Sequence, residues 1–213
     1  MIRTVIVEDS LIAQNYFQDM LEKAGDFRTV AVCTDAFEAE RICEPGKADL
    51  VLMDVMTERG HSGLAAGRRI READRNVKVV VVTSLIDPDV LAAARTGAAD
   101  SLWYKDHGPE ELLDVIRRTL GGERVFPDSA PSVRLGDIFT GDISPRQLQV
   151  LRRFVMGLTY DEIAADMGIT KRGVRWHMDE LMQAGGFKNR HEMLSAILQN
   201  NFIVTTLVDS GRE

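Results

Sequence analysis

The sequence predicts a doubly wound α/β domain, five parallel strands covered by helices on both faces, followed by a small all-α domain. Three observations carry that expectation. Short β-branched runs alternate with amphipathic segments through the first 120 residues, the pattern of a parallel sheet with crossover helices. Over 121–143 the periodicity stops, and Gly, Pro and polar residues accumulate as in a linker. From Ser144 to about residue 205 only helical periodicity remains, with a short tail at 206–213.

The elements follow in order. Strand-like runs lie at Thr4 to Val7, Thr29 to Val32, Leu50 to Met53, Lys78 to Thr83 and Ser101 to Tyr104. Amphipathic segments near 10–23, 36–43, 63–74, 88–95 and 109–120 separate and follow them. Pro109 in the first turn and Gly121-Gly122 beyond the last mark the fifth helix. In the second half, Ser144-Pro145 caps a helix carrying Leu148, Leu151 and Val155 at helical spacing, and Gly157 ends it. Thr159-Tyr160-Asp161-Glu162 is a capping box that opens a short helix through Met167. Gly168-Ile169-Thr170 makes a tight turn, Thr170 caps a longer helix to about Gln183, and a last helix runs from Arg190 to Asn200.

Five positions concentrate the chemistry. Glu8 and Asp9, Asp54, Thr83 and Lys105 each stand where a strand-like run gives out, and in an open parallel sheet such ends share the ligand-binding edge. Clustered carboxylates repel one another unless a hard cation joins them, and magnesium suits a few carboxylates with water and phosphate oxygens. Asp54 stands alone after its strand, as a carboxylate nucleophile for a phosphoryl group would. Thr83 and Lys105 would then contact the transferred oxygens. Taken singly, an Asp after a strand is often a helix cap and a lone Lys is usually solvated; all five in this order is the informative fact.

The strings VIVEDS, LVLMD, VVVTS and WYKD resemble the receiver domain of two-component response regulators, flavodoxin-like in fold, over about 1–120. The resemblance implies that Glu8, Asp9, Asp54 and the backbone carbonyl of Met56 hold Mg2+. It further implies that a partner histidine kinase phosphorylates Asp54, and that Thr83 and Lys105 sense the phosphate. Two departures stand out. Glu58 replaces the usual proline four residues after the phosphorylated Asp, in a TERGHSG loop one residue longer than is usual for the family; Leu102 replaces the usual switch Tyr or Phe.

Two helices joined by a glycine-containing turn, the second opening with Lys171, Arg172 and Arg175, describe a helix-turn-helix whose second helix enters the major groove. ISPRQLQVL, GLTYDEIAADMGIT and VRWH resemble the LuxR-type output domain of NarL/FixJ regulators over about 142–204. By that resemblance Arg175 and Trp176 fall where the family reads bases, and Lys171 and Arg172 lie at the contacting end. Arg146 and Lys188 are candidates for phosphate contact, His177 matches a framework position, and the last helix forms a dimer contact. Trp176 could equally belong to a core or a dimer surface. Gln147, Gly173, Glu180 and Ala184-Gly185 depart from the family; Gly173 costs helix stability, and Asp179 and Glu180 oppose phosphate. Asp179 could instead accept from a cytosine amino group.

The net charge of −7 argues against a plain nucleic-acid binder. It is unevenly divided: 144–205 carries eight basic against six acidic residues, a balance of +2, leaving −9 for the rest. Cys33 and Cys43 have neither metal nor disulfide-framework spacing. No apolar run reaches membrane-spanning length, and MIRTVIVEDS leads straight into a strand, so the expected compartment is the cytoplasm, with no membrane partner. The reading is a response-regulator transcription factor that is not an enzyme beyond turnover at its own Asp54, binds double-stranded DNA and forms a homodimer when phosphorylated. Two alternatives are a regulator whose helix-turn-helix serves protein contacts and a Mg2+-dependent phosphatase. A haloacid-dehalogenase-like phosphatase wants a second Asp two residues after the nucleophile, where this chain has Met56.

Overall fold

The computed structural model describes residues 1–105 and 108–203 and separates into two compact units, Met1–Ser84 with Pro88–Ser129, and Leu85–Asp87 with 130–203. The first alternates β1 (Ile2–Val7), α1 (Leu11–Ala24), β2 (Phe27–Cys33), α2 (Ala36–Ile42), β3 (Leu50–Met53), α3 (Gly63–Ala73), β4 (Lys78–Thr83), α4 (Pro88–Ala93), β5 (Ser101–Tyr104) and α5 (Pro109–Leu120). All five strands are parallel in the order β2-β1-β3-β4-β5. The chain reverses its direction of travel between β1 and β3, which opens a crevice at their carboxyl ends.

Strand interiors are buried on both faces, as the continuous apolar runs require. Alternate residues Ile6, Leu50, Leu52, Val80, Val82 and Trp103 form one core with Phe17, Met20 and Leu21 of α1 and Leu112, Val115 and Ile116 of α5. Burial of one such side chain is worth about 1.5–3 kcal/mol, and a one-residue slip would reverse every one of them, so register is strongly held. Trp103 thus faces the α1/α5 layer, and the two-residue period turns Leu102 and Tyr104 to the other. The helix expected over 88–95 is shorter. α4 passes into a wider π turn at Ala94–Ala98, where Gly97 takes a positive φ of 131°.

The second unit begins earlier in the chain than helical periodicity suggests. The stretch 121–143, expected as linker, contains an antiparallel hairpin of β6 (Arg134–Leu135) and β7 (Ile138–Phe139), and Leu135 is 2% exposed in the second core. Strands of two residues are too short for alternation to register in a sequence. Then come α6 (Pro145–Val155), α7 (Tyr160–Met167), α8 (Lys171–Ala184) and α9 (Arg190–Gln199). Local chemistry sets their starts. Ser144 and Thr159 each form a reciprocal capping box, with Gln147 and Glu162, while Thr170 and Asn189 accept from Gly173 and Glu192 amides. Gly168 ends α7 in the left-handed conformation. Val150, Leu151, Ile163, Val174, Met178, Leu181, Met193 and Ile197 fill the core between these helices. The expected tail, 206–213, lies outside the described residues.

Candidate functional site

Glu8 follows β1 directly and Asp54 follows β3, so the parallel pairing of those strands brings two carboxylates to one crevice. Glu8 and Asp54 are buried and Asp9 is exposed, and one carboxylate oxygen from each lies within 4.8 Å of the others. Lys105, just beyond β5, places its Nζ 2.6 Å from Glu8 Oε2 and 2.6 Å from Asp54 Oδ2. The backbone holds these groups in place: Asp54 N–H donates to Val7 O at 2.9 Å and Lys105 N–H to Thr83 O at 2.9 Å. Asp54 Oδ1 accepts from Val55 N–H at 2.7 Å. Thr83 ends β4 on the same edge, fully buried.

Burial pushes the Asp54 carboxyl up to about 6, and the Glu8 charge adds to that push against the opposing pull of Lys105. Burial also works against the Lys105 ammonium, but Asp54 and Glu8 outweigh it and raise that group above its ordinary value. Three carboxylates facing one ammonium leave an excess of negative charge lined by hard oxygen donors. That donor set fits a small divalent cation of the magnesium type.

Met56 sits on the loop between β3 and α3, 38% exposed, and pairs its backbone with Ser62 in an isolated antiparallel bridge. Thr57 Oγ1 steadies the loop by accepting from Ala36 N–H at 3.1 Å and donating to His61 O at 2.8 Å. Glu58, in place of proline, lies in a 3-10 turn in which Arg59 adopts a φ of 60°. Sequence reasoning missed Gly63. It donates its N–H to Val55 O at 3.0 Å, and a Cβ there would overlap the Asp54 carbonyl oxygen. The missed signal was the lone glycine directly after the capping Ser62.

The second unit offers a different surface. Val174, Met178 and Leu181 bury one side of α8, leaving Lys171, Arg172, Arg175, Trp176, Asp179 and Glu180 exposed. Trp176 is 56% exposed and so is no core residue. Lys171 pairs with Asp161 at 2.7 Å. Arg146 donates to Gln149 Oε1 at 3.0 Å and Met167 O at 3.3 Å, and Lys188 is exposed before α9. Arg190 stacks 4.6 Å from the Tyr160 ring centre, which ties α9 to α7. Burial lowers the His177 imidazole pKa, and the nearby Arg146 charge adds to that. Among the described residues no helix is long and apolar enough to cross a membrane.

Residues 4–117 match the family described as response regulator receiver domain, and residues 142–196 match bacterial regulatory proteins, luxR family. The uncharacterized transcriptional regulatory protein YxjL of Bacillus subtilis (strain 168) is 25% identical over 214 residues, spanning 95% of this chain and 97% of that protein. The oxygen regulatory protein NreC of Staphylococcus aureus (strain JH9) is 25% identical over 215 residues, spanning 94% and 99%. Among solved structures, RcsB from Salmonella enterica serovar Typhimurium, bound to promoter rprA in the presence of the phosphomimetic BeF3−, shares the fold with a TM-score of 0.60 at 20% identity, over 92% of this chain and 98% of that one. A parallel sheet with an acidic carboxyl edge, joined to a capped helix-turn-helix, places the chain among the response regulators that couple a receiver domain to a LuxR-type DNA-binding domain and regulate transcription.

Proposed function

We propose that Asp54 accepts a phosphoryl group from a partner histidine kinase and that the added charge controls how the second unit engages double-stranded DNA. The observation that carries this reading is the Lys105 ammonium 2.6 Å from both Glu8 and Asp54 in the β1/β3 crevice. An Asp54 oxygen attacks the phosphorus of the kinase phosphohistidine; the N–P bond breaks, its electron pair returns to the imidazole, and an acyl phosphate forms. Glu8, Asp9, Asp54 and the Met56 carbonyl would hold Mg2+, which supplies charge neutralisation at the transferring oxygens. Lys105 exchanges Asp54 Oδ2 for a phosphoryl oxygen, and the Thr83 hydroxyl takes another.

Two negative charges added beside Lys105 and Thr83 bias the receiver between two arrangements, because these contacts differ before and after transfer. The chain turns over only its own phosphate. In the second unit Lys171, Arg172, Arg175 and Trp176 meet the major groove, while Arg146 and Lys188 meet phosphates. A homodimer of the phosphorylated protein would set two such helices about one DNA turn, roughly 34 Å, apart. The setting is the cytoplasm.

Acetyl phosphate with Mg2+, read by phosphate-affinity electrophoresis and light scattering, tests the receiver half. Wild type should acquire a hydroxylamine-labile adduct and dimerise, and Asp54→Ala should do neither. An adduct that persists in Asp54→Ala overturns the assignment. One observation favours a second reading, protein contact through α8: Asp179 and Glu180 expose two carboxylates on the face offered to DNA. Failure to shift random duplex at low salt, even when phosphorylated, would favour it.

A further inference from the structure

The α-helix step of 100° per residue puts Arg172, Trp176, Asp179 and Gln183 on the side of α8 opposite Val174, Met178 and Leu181, and all four are exposed. The chain's other tryptophan, Trp103, is 3% exposed, whereas Trp176 leaves more than half its surface in water. Within the second unit the indole meets the His177 ring edge-on, centroids 4.8 Å apart, and that contact leaves most of its face uncovered. The Asp179 carboxylate forms no hydrogen bond or ion pair among the described residues. A carboxylate on a DNA-facing stripe weakens the phosphate attraction unless it meets a donor. In the major groove the exocyclic donors are cytosine N4 and adenine N6. Adenine presents its N7 acceptor beside N6, which repels a carboxylate; cytosine has none there. The apolar feature of the same groove is the thymine C5-methyl, the partner an indole face would seek.

Resting on the DNA-binding reading above, we infer that α8 specifies a thymine beside a cytosine: Trp176 covers the thymine methyl, and Asp179 accepts from the cytosine amino group. Three residues along a helix advance about 4.5 Å and return to nearly the same face. That advance exceeds the roughly 3.4 Å rise of B-DNA by little, so the two side chains address neighbouring base pairs. Arg172 and Arg175 flank them and supply cationic attraction, making the stripe a specificity element more than an affinity element.

Full-length protein is used to enrich duplexes from a random pool. In the enriched site each thymine is then replaced by uracil, which removes only the methyl, and each C·G pair by T·A. One uracil should weaken wild type about fourfold, the worth of one buried methyl-sized group, and leave Trp176→Ala unchanged. One C·G replacement should weaken wild type roughly tenfold to a hundredfold and leave Asp179→Ala indifferent. Asp179→Ala should also bind random duplex more tightly, with circular dichroism confirming that both variants fold. An enriched site that tolerates every uracil, or equal sensitivity in Trp176→Ala, overturns this inference while DNA binding stands. Discrimination at the cytosine retained by Asp179→Ala does the same. If no duplex is enriched even at low salt, the DNA reading falls with it.

Discussion

The ammonium of Lys105 lies 2.6 Å from Asp54 Oδ2, so the group that would meet a phosphate already neutralises the side chain that would carry it. The same ammonium contacts Glu8, and the side chains of Glu8 and Asp54 are only 1% and 10% exposed. Removing the cation leaves two buried charges without compensation. Lys105→Ala should destabilise the receiver by about 3–5 kcal/mol at pH 8. Urea denaturation at pH 8 and pH 5 checks this, with a smaller loss at pH 5, where Asp54 protonates.

The pH dependence of Asp54 has a definite sign. Its folded pKa, about 6, stands above the value near 4 of an unfolded Asp. Below about pH 4 both states are protonated and the group is neutral to folding; above about 6 its ionisation works against the fold. Asp54→Asn should therefore be more stable than wild type at pH 7–8, by at most about 3 kcal/mol, with the gain vanishing toward pH 4. Thermal melts across that range decide it, and a constant difference would contradict the assigned pKa.

A cation that binds only the folded site stabilises it by mass action. Mg2+ at ten times its dissociation constant should add about 1.4 kcal/mol and raise the receiver melting temperature by several degrees. Asp9→Asn removes one exposed member of the carboxylate trio and should weaken that response without harming the fold. Calorimetric titration of wild type and Asp9→Asn is the measurement. Equal affinity in both would move the cation elsewhere.

Gly63 admits no side chain, because a Cβ would overlap the Asp54 carbonyl oxygen at the start of α3. Gly63→Ala should cost about 1–3 kcal/mol through backbone displacement and should also slow phosphorylation, since the displaced backbone belongs to the acceptor. Melting temperature and acetyl phosphate labelling, measured together, separate this from a purely structural loss.

Gly173 behaves oppositely. A Cβ there would meet Thr170 Oγ1 at 3.5 Å and Ile169 Cδ1 at 3.9 Å, ordinary contacts with the cap and turn that precede α8. Gly173→Ala should stabilise the second unit by up to about 1 kcal/mol, since nothing in the packing requires glycine. A lower melting temperature would refute that.

Much of this protein was legible because its signals are local. Strand ends at Val7, Met53, Thr83 and Tyr104 are marked by the switch from a largely apolar run to polar residues, which is how the sequence alone points to Glu8, Asp9, Asp54 and Lys105. The caps at Ser144, Thr159 and Thr170 are likewise written within three or four residues. The hairpin at 134–139 was missed because two-residue strands carry no period; it is anchored by Leu135 in a core formed by distant helices and by the Asp137 N–H donated to Gly185 O at 3.0 Å.

Local residue patterns are enough to specify the alternating sheet, the helix-turn-helix and the types of group available at each, since periodicity, capping and turn chemistry act over a few residues. Tertiary structure alone decided that Lys105 bridges Glu8 and Asp54, groups 97 and 51 positions away, that Gly63 abuts the Asp54 carbonyl, and that Trp176 faces water. Those outcomes depend on which strands pair and which helix face is covered. Both are set by burial summed over the whole unit, which no short window of residues contains.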